Sequence, residues 1–77
     1  MNDIIVVYYT DTRGKPMYIH AIDYIFADAR FTRHVKQAQR FDYQQARAAC
    51  EWLLDNGYTD NPQGRIPDHL YSQNNAM

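Results

Sequence analysis

Residues 41 to 58, FDYQQARAACEWLLDNGY, carry the signals for both ends of a helix. Asp42 is a favoured N-cap residue and Gln45 follows three positions later, the spacing of a capping box. Phe41 and Ala46 stand where a hydrophobic staple joins the residue before the cap to the fourth residue of the helix. Gly57 supplies the left-handed residue that closes many helices, and Tyr58 is placed to fold back on Leu53. The spacing therefore predicts a helix over about Tyr43 to Asn56. Its apolar stripe is Tyr43, Ala46, Ala49, Cys50 and Leu53, with Leu54 at the margin and Trp52 off its centre. Alanine and cysteine are short, so a helix with this stripe can approach a sheet closely.

The N-terminal part supplies that sheet. Residues 4 to 9, Ile-Ile-Val-Val-Tyr-Tyr, are all β-branched or aromatic and read as a strand covered on both faces or nearly so. In TDTRGKP, Asp11 can accept from nearby backbone amides, Gly14 tolerates positive φ, and Pro16 suits the first residue of a strand, so a hairpin is expected. The second strand, MYIHAIDYIF, is expected to run to about Phe26. Strict alternation puts Tyr18, His20, Ile22, Tyr24 and Phe26 on one face and Met17, Ile19, Ala21, Asp23 and Ile25 on the other. Neither face is cleanly polar, so alternation does not say which one packs. ADAR, residues 27 to 30, is expected to turn the chain.

The next stretch, RFTRHVKQAQR, holds four of the eight basic residues and no acid. As a strand, residues 31 to 41 put Phe31, Val35 and Phe41 beside Arg33, Gln37 and Gln39, a poor apolar face. As a helix, Phe31, Val35 and Ala38 stand at i, i+4 and i+7, with Arg33, Lys36, Gln37 and Arg40 opposite. Periodicity thus predicts a short second helix capped by Thr32. From Thr59 onward the chain is polar and turn-rich, and only Ile66, Leu70 and Tyr71 can pack. The fold class expected is a small α+β domain over residues 1–71. It consists of an antiparallel β-hairpin or three-stranded sheet packed by one long and one short helix, with a frayed C-terminal tail at 72–77.

A chain of 77 residues buries only about 60% of the surface it exposes when unfolded, so the core is small. Seven tyrosines suit both a thin core whose residues reach the surface and a binding face. The single Cys50 forms no internal disulfide, which makes a reducing cytoplasm the expected compartment. The apolar run DIIVVYY is too short to span a bilayer and has no basic residues before it, so neither export nor a membrane partner is expected.

Catalytic chemistry finds few candidates. His20, His34 and His69 fall on different expected elements, and Cys50 has no Cys or His within four residues, so no metal site and no cofactor are expected. Gly14, Gly57 and Gly64 are isolated, which excludes a glycine-rich phosphate loop. Cys50 lies on the apolar stripe and reads as a small buried hydrophobe. Asp23 is the one carboxylate inside an apolar run and reads as solvent-facing. No catalytic residue is nominated, and the expectation is a non-enzymatic protein.

Two binding readings remain. Trp52, Tyr43, Tyr58 and Tyr71 with Arg47 are the residue types that anchor protein interfaces, and an open sheet edge would accept an added strand or a second copy as a homodimer. Alternatively, Arg33, Lys36 and Arg40 would form a helical ridge about 11 Å long, with Arg30 just before it, that follows phosphates in a salt-dependent way. The bland explanations are a thin core for the aromatics and an ordinary polar helix face for the ridge. The net charge of −1, with nine acids against four bases outside residues 30 to 40, favours the protein partner.

The residues Phe31-Thr32, Ala38, Phe41 and Ala46 form a pattern that resembles small phage, prophage and plasmid accessory proteins: two strands, an fT…A..F segment, then a helix opening with d…A. The resemblance covers roughly residues 15 to 54 and carries no catalytic residue. It implies an accessory factor that binds a host or phage protein and inhibits or redirects it, as anti-CRISPR and other anti-defence proteins do.

Overall fold

The computed structural model describes residues 3–69. Four strands, β1 (Val6–Thr10), β2 (Pro16–Asp23), β3 (Asp28–Thr32) and β4 (Gln63–Arg65), form one antiparallel sheet in the order β3-β2-β1-β4. An α-helix, α1 (Tyr43–Asp55), crosses a face of it. The domain is thus a small α+β fold with one more strand than the widest sheet expected. The tail from Ser72, and with it Leu70 and Tyr71, lies outside the described residues.

The helix ends are built as their residues dictate. Gln45 N–H donates to Asp42 Oδ1 at 2.8 Å, and Asp42 N–H donates to Gln45 Oε1 at 3.3 Å, closing the capping box. At the other end Gly57 takes φ +73, its N–H donates to Leu54 O, and Tyr58 N–H donates to Leu53 O, a Schellman closure. Ala46, Ala49 and Leu53 are buried against Val7, Ile19 and Phe41. Fully burying a side chain the size of Val7, Ile19 or Leu53 stabilises by roughly 1.5–3 kcal/mol, so this layer dominates the core.

The expected second helix is not formed. Residues 28 to 32 are β3, followed by a single 3-10 turn at Val35–Gln37 and then extended chain. The reason lies in where the apolar side chains go. Phe31 packs with the helix-side cluster, Val35 and Ala38 pack on the opposite sheet face with Val6, Tyr8 and Tyr18, and Phe41 returns to the helix side. A chain that rounds the sheet in this way serves two faces, whereas a helix presents its i, i+4 and i+7 residues to one. Thr32 does cap, but as an ST turn: its hydroxyl accepts from His34 N–H at 3.1 Å.

This crossover also divides the sheet. β1 pairs with β2 only at Tyr8↔Tyr18, Tyr9↔Met17 and Thr10↔Pro16. Beyond that point residues 39 to 41 enter: Gln39 N–H donates to Ile19 O, and Phe41 exchanges two hydrogen bonds with Ile5. Among the described residues the far end of β2 is paired with β3 alone. Within that pair His20 is an extra residue between the Ile19↔Phe31 and Ala21↔Arg30 partners, a β-bulge, and its Nδ1 donates to the Gln37 carbonyl at 2.8 Å. The bulge resets the alternation, so Ile22 joins Ile19 in the helix-side cluster instead of facing away from it.

Candidate functional site

The β2–β3 ribbon ends in the turn Tyr24-Ile25-Phe26-Ala27. β2 stops at Asp23, three residues short of the Phe26 expected, and the turn precedes the ADAR segment's Asp28–Arg30, which belong to β3. Asp23 makes the turn: its Oδ1 accepts from Ile25 N–H at 3.0 Å and from Phe26 N–H at 3.1 Å. Ala27 closes it at φ 53, a left-handed conformation that non-glycine residues seldom adopt. Ile25 is left 89% exposed and Phe26 80%, the two most exposed large apolar side chains described.

Tyr24 turns back from this tip and starts a run of rings. It meets Trp52 edge-on at 6.1 Å, Trp52 stacks on Tyr58 at 5.2 Å, Tyr58 tilts against Phe31 at 5.6 Å, and Phe31 meets Tyr9 edge-on at 5.4 Å. Such pairs each contribute about 0.5–1.5 kcal/mol beyond area burial, so the run ties the ribbon to the helix. Partial burial pushes the Tyr24 hydroxyl pKa up. Tyr24 and Tyr58 remain accessible at 51% and 38%.

Of the expected interface residues, the fold brings Trp52 and Tyr58 together and separates the others. Tyr43 is exposed at the opposite end of α1, where it lines a hollow of about 220 Å³ with Ile5, Ala46, Arg47, Cys50 and Gly64. Arg47 lies 3.9 Å from Glu51 across one helical turn, and Tyr71 lies outside the described residues. Gly64 lets β4 approach closely, since a Cβ there would stand 3.2 Å from Ile5 Cγ2. Burial and the Glu51 carboxylate push the Cys50 thiol pKa up, away from the thiolate a nucleophile needs.

The basic residues do not make a ridge. Arg30 sits mid-strand in β3, Arg33 in the bend after it, Lys36 in the 3-10 turn and Arg40 in the extended approach to the Ile5 bridge. Arg33 donates to Asp11 Oδ2 at 2.7 Å, clipping the crossover to the first hairpin. Among the described residues, no three His, Cys, Asp or Glu side chains are placed to share a metal, and no helix is long and apolar enough to cross a membrane.

Sequence reasoning missed Ile25, Phe26 and Arg65. Arg65 donates to the Tyr18 hydroxyl at 2.9 Å and lies 5.7 and 6.0 Å from the Tyr8 and Tyr18 ring centres, closing the face opposite α1 by cation–π contact. The signal for the tip was Asp23 itself, whose carboxylate accepts from amides two and three residues on, much as Asp11 in the first turn accepts from amides two and four residues on. Comparison with protein-family models, curated proteins and solved structures finds no match for this chain.

Proposed function

We propose that this chain is a non-enzymatic protein-binding module that inhibits or redirects a host protein by occupying its surface, anchored by Ile25 and Phe26. The observation that carries this reading is an Ile-Phe pair held exposed on a turn whose backbone is tied by Asp23. Preordered apolar side chains lose little entropy on binding and are suited to fill a pocket. Tyr24, Trp52 and Tyr58 extend the contact along one side of the tip, and inhibition of a host protein is the role that the resemblance to mobile-element accessory factors implies. Asp23 and Asp28 flank the turn, so the fitting partner offers an apolar pocket with a basic rim.

The nucleic-acid reading has no observation in its favour, because Arg33 is engaged by Asp11 and the remaining bases stand on separate pieces of backbone. The test is affinity capture from host lysate with the wild-type chain and an I25S/F26S variant, followed by titration of the purified partner. Loss of capture in a variant with an unchanged thermal midpoint supports the tip. Equal affinity for both chains removes it, and steeply salt-dependent binding of labelled DNA or RNA would replace the reading altogether.

A further inference from the structure

The sheet has two edges, and they are finished differently. β4 is three residues long and bounded by Pro62 and Pro67, which cannot donate to a ladder, so that edge is blunted. β3 runs five residues, DARFT, with no glycine or proline, and among the described residues no strand pairs with its outer side. The side chains of Asp28 and Arg30 are exposed, point to the same face, and have no hydrogen-bond or ion-pair partner among the described residues.

We propose that the outer edge of β3 pairs antiparallel with β3 of a second copy of this chain, about a twofold axis at Ala29. Register decides this. A twofold perpendicular to the sheet pairs one residue with itself, and each such choice fixes all the others. Centred on Asp28 the axis opposes two aspartates, and centred on Arg30 it opposes two arginines. Centred on Ala29 it sets Asp28 of each copy opposite Arg30 of the other, two unlike pairs on one face, with the small Ala29 side chains meeting on the other. The strand is therefore complementary in charge to itself in one register.

The product is one eight-stranded sheet with both helices on the same face. Ala27 stands opposite Phe31 of the other copy, at the end of the ladder, so Ile25 and Phe26 stay outside it. Two Phe26 tips then stand roughly 20 Å apart along the strand direction. The dimer does not depend on the tip's role in partner binding; if that role holds, two tips on one body add avidity.

Sedimentation equilibrium of the full chain from micromolar to millimolar concentration tests the pairing. Wild type should dimerise, and Arg30→Asp or Asp28→Arg alone should weaken association roughly tenfold or more, because each replaces two attractive cross-strand pairs with two repulsive ones. The D28R/R30D double variant should dimerise again, and an equimolar mixture of the two single variants should form a heterodimer. Circular dichroism checks that each chain is folded; should a single variant fail to fold, Ala29→Lys places two like charges at the axis and takes its place. A wild-type chain that stays monomeric throughout, or a dimer indifferent to these substitutions, overturns the proposal. Both outcomes are read without the partner, so they leave the tip's role to its own experiment.

Discussion

The two hairpin turns solve the same backbone problem with opposite surfaces. In the first, Asp11 Oδ1 accepts from Arg13 and Lys15 N–H, and Gly14 takes φ +79. In the second, Asp23 Oδ1 accepts from Ile25 and Phe26 N–H, and Ala27 takes φ 53. Each uses a carboxylate to order amides and a left-handed residue to bring the chain back. The first surrounds these devices with Thr12, Arg13 and Lys15, and a glycine does the left-handed work at no steric cost. The second places Ile25 and Phe26 in water and makes an alanine adopt the strained conformation. Folding alone accounts for the first turn; it leaves the exposed side chains of the second unexplained, which is why the tip is proposed as the binding element.

This contrast can be broken at several points. The largest effect expected is on binding: I25S/F26S should cost about 2 kcal/mol or more of partner affinity in titration calorimetry, whereas T12A/R13A should leave it unchanged. Stability should respond next. Gly14→Ala should lose about 1–2 kcal/mol in denaturant unfolding, because nothing lies within 4 Å of the added Cβ and the whole cost is left-handed backbone strain. Asp23→Ala should lose about 1 kcal/mol and also weaken partner binding, since the tip would no longer be preordered, while keeping α1 intact by circular dichroism. Ala27→Gly should gain about 0.5 kcal/mol, the relief of strain being partly offset by a freer unfolded chain.

The last test concerns pH and belongs to Asp11. The Lys15 amide, the Arg33 guanidinium and the Arg13 amide hold its carboxyl from the ordinary 3.8 down to about 2. A pKa lowered by folding stabilises fully above 3.8 and loses its contribution as pH falls toward 2. Wild type should therefore lose thermal stability across that window more steeply than Asp11→Asn, measured as the melting midpoint against pH. Parallel curves would mean that the clip between the first turn and the crossover carries no stability.

The helix was legible in the sequence because its ends are local. Asp42 with Gln45, and Gly57 with Tyr58, act over three to five residues, and no distant contact is needed to specify them. The first hairpin was legible for the same reason. Residues 31 to 41 misled because helical spacing of Phe31, Val35 and Ala38 implies a shared face, and these three side chains pack on two different faces of one sheet. The tip was hidden because Tyr24-Ile25-Phe26-Ala27 contains none of the usual turn residues, so a run of apolar side chains looked like more strand. Trp52 and Tyr58 were named as candidates, yet their ring partners Tyr24 and Phe31 come from two other parts of the chain.

By itself the sequence determined the α+β class, the capped helix and the β1–β2 turn, all of which follow from residue type and short-range spacing. Tertiary structure decided the rest. The bulge at His20 and the entry of residues 39 to 41 between β1 and β2 are long-range backbone pairings, and together they turn the β2–β3 hairpin into a ribbon that, among the described residues, pairs with no other strand along its far end. That geometry is what sets Ile25 and Phe26 out in water and leaves Asp28 and Arg30 along an open edge. No window of neighbouring residues contains it, because hydrogen bonds between residues 5 and 41 and between 19 and 39 exist only once the chain has closed on itself.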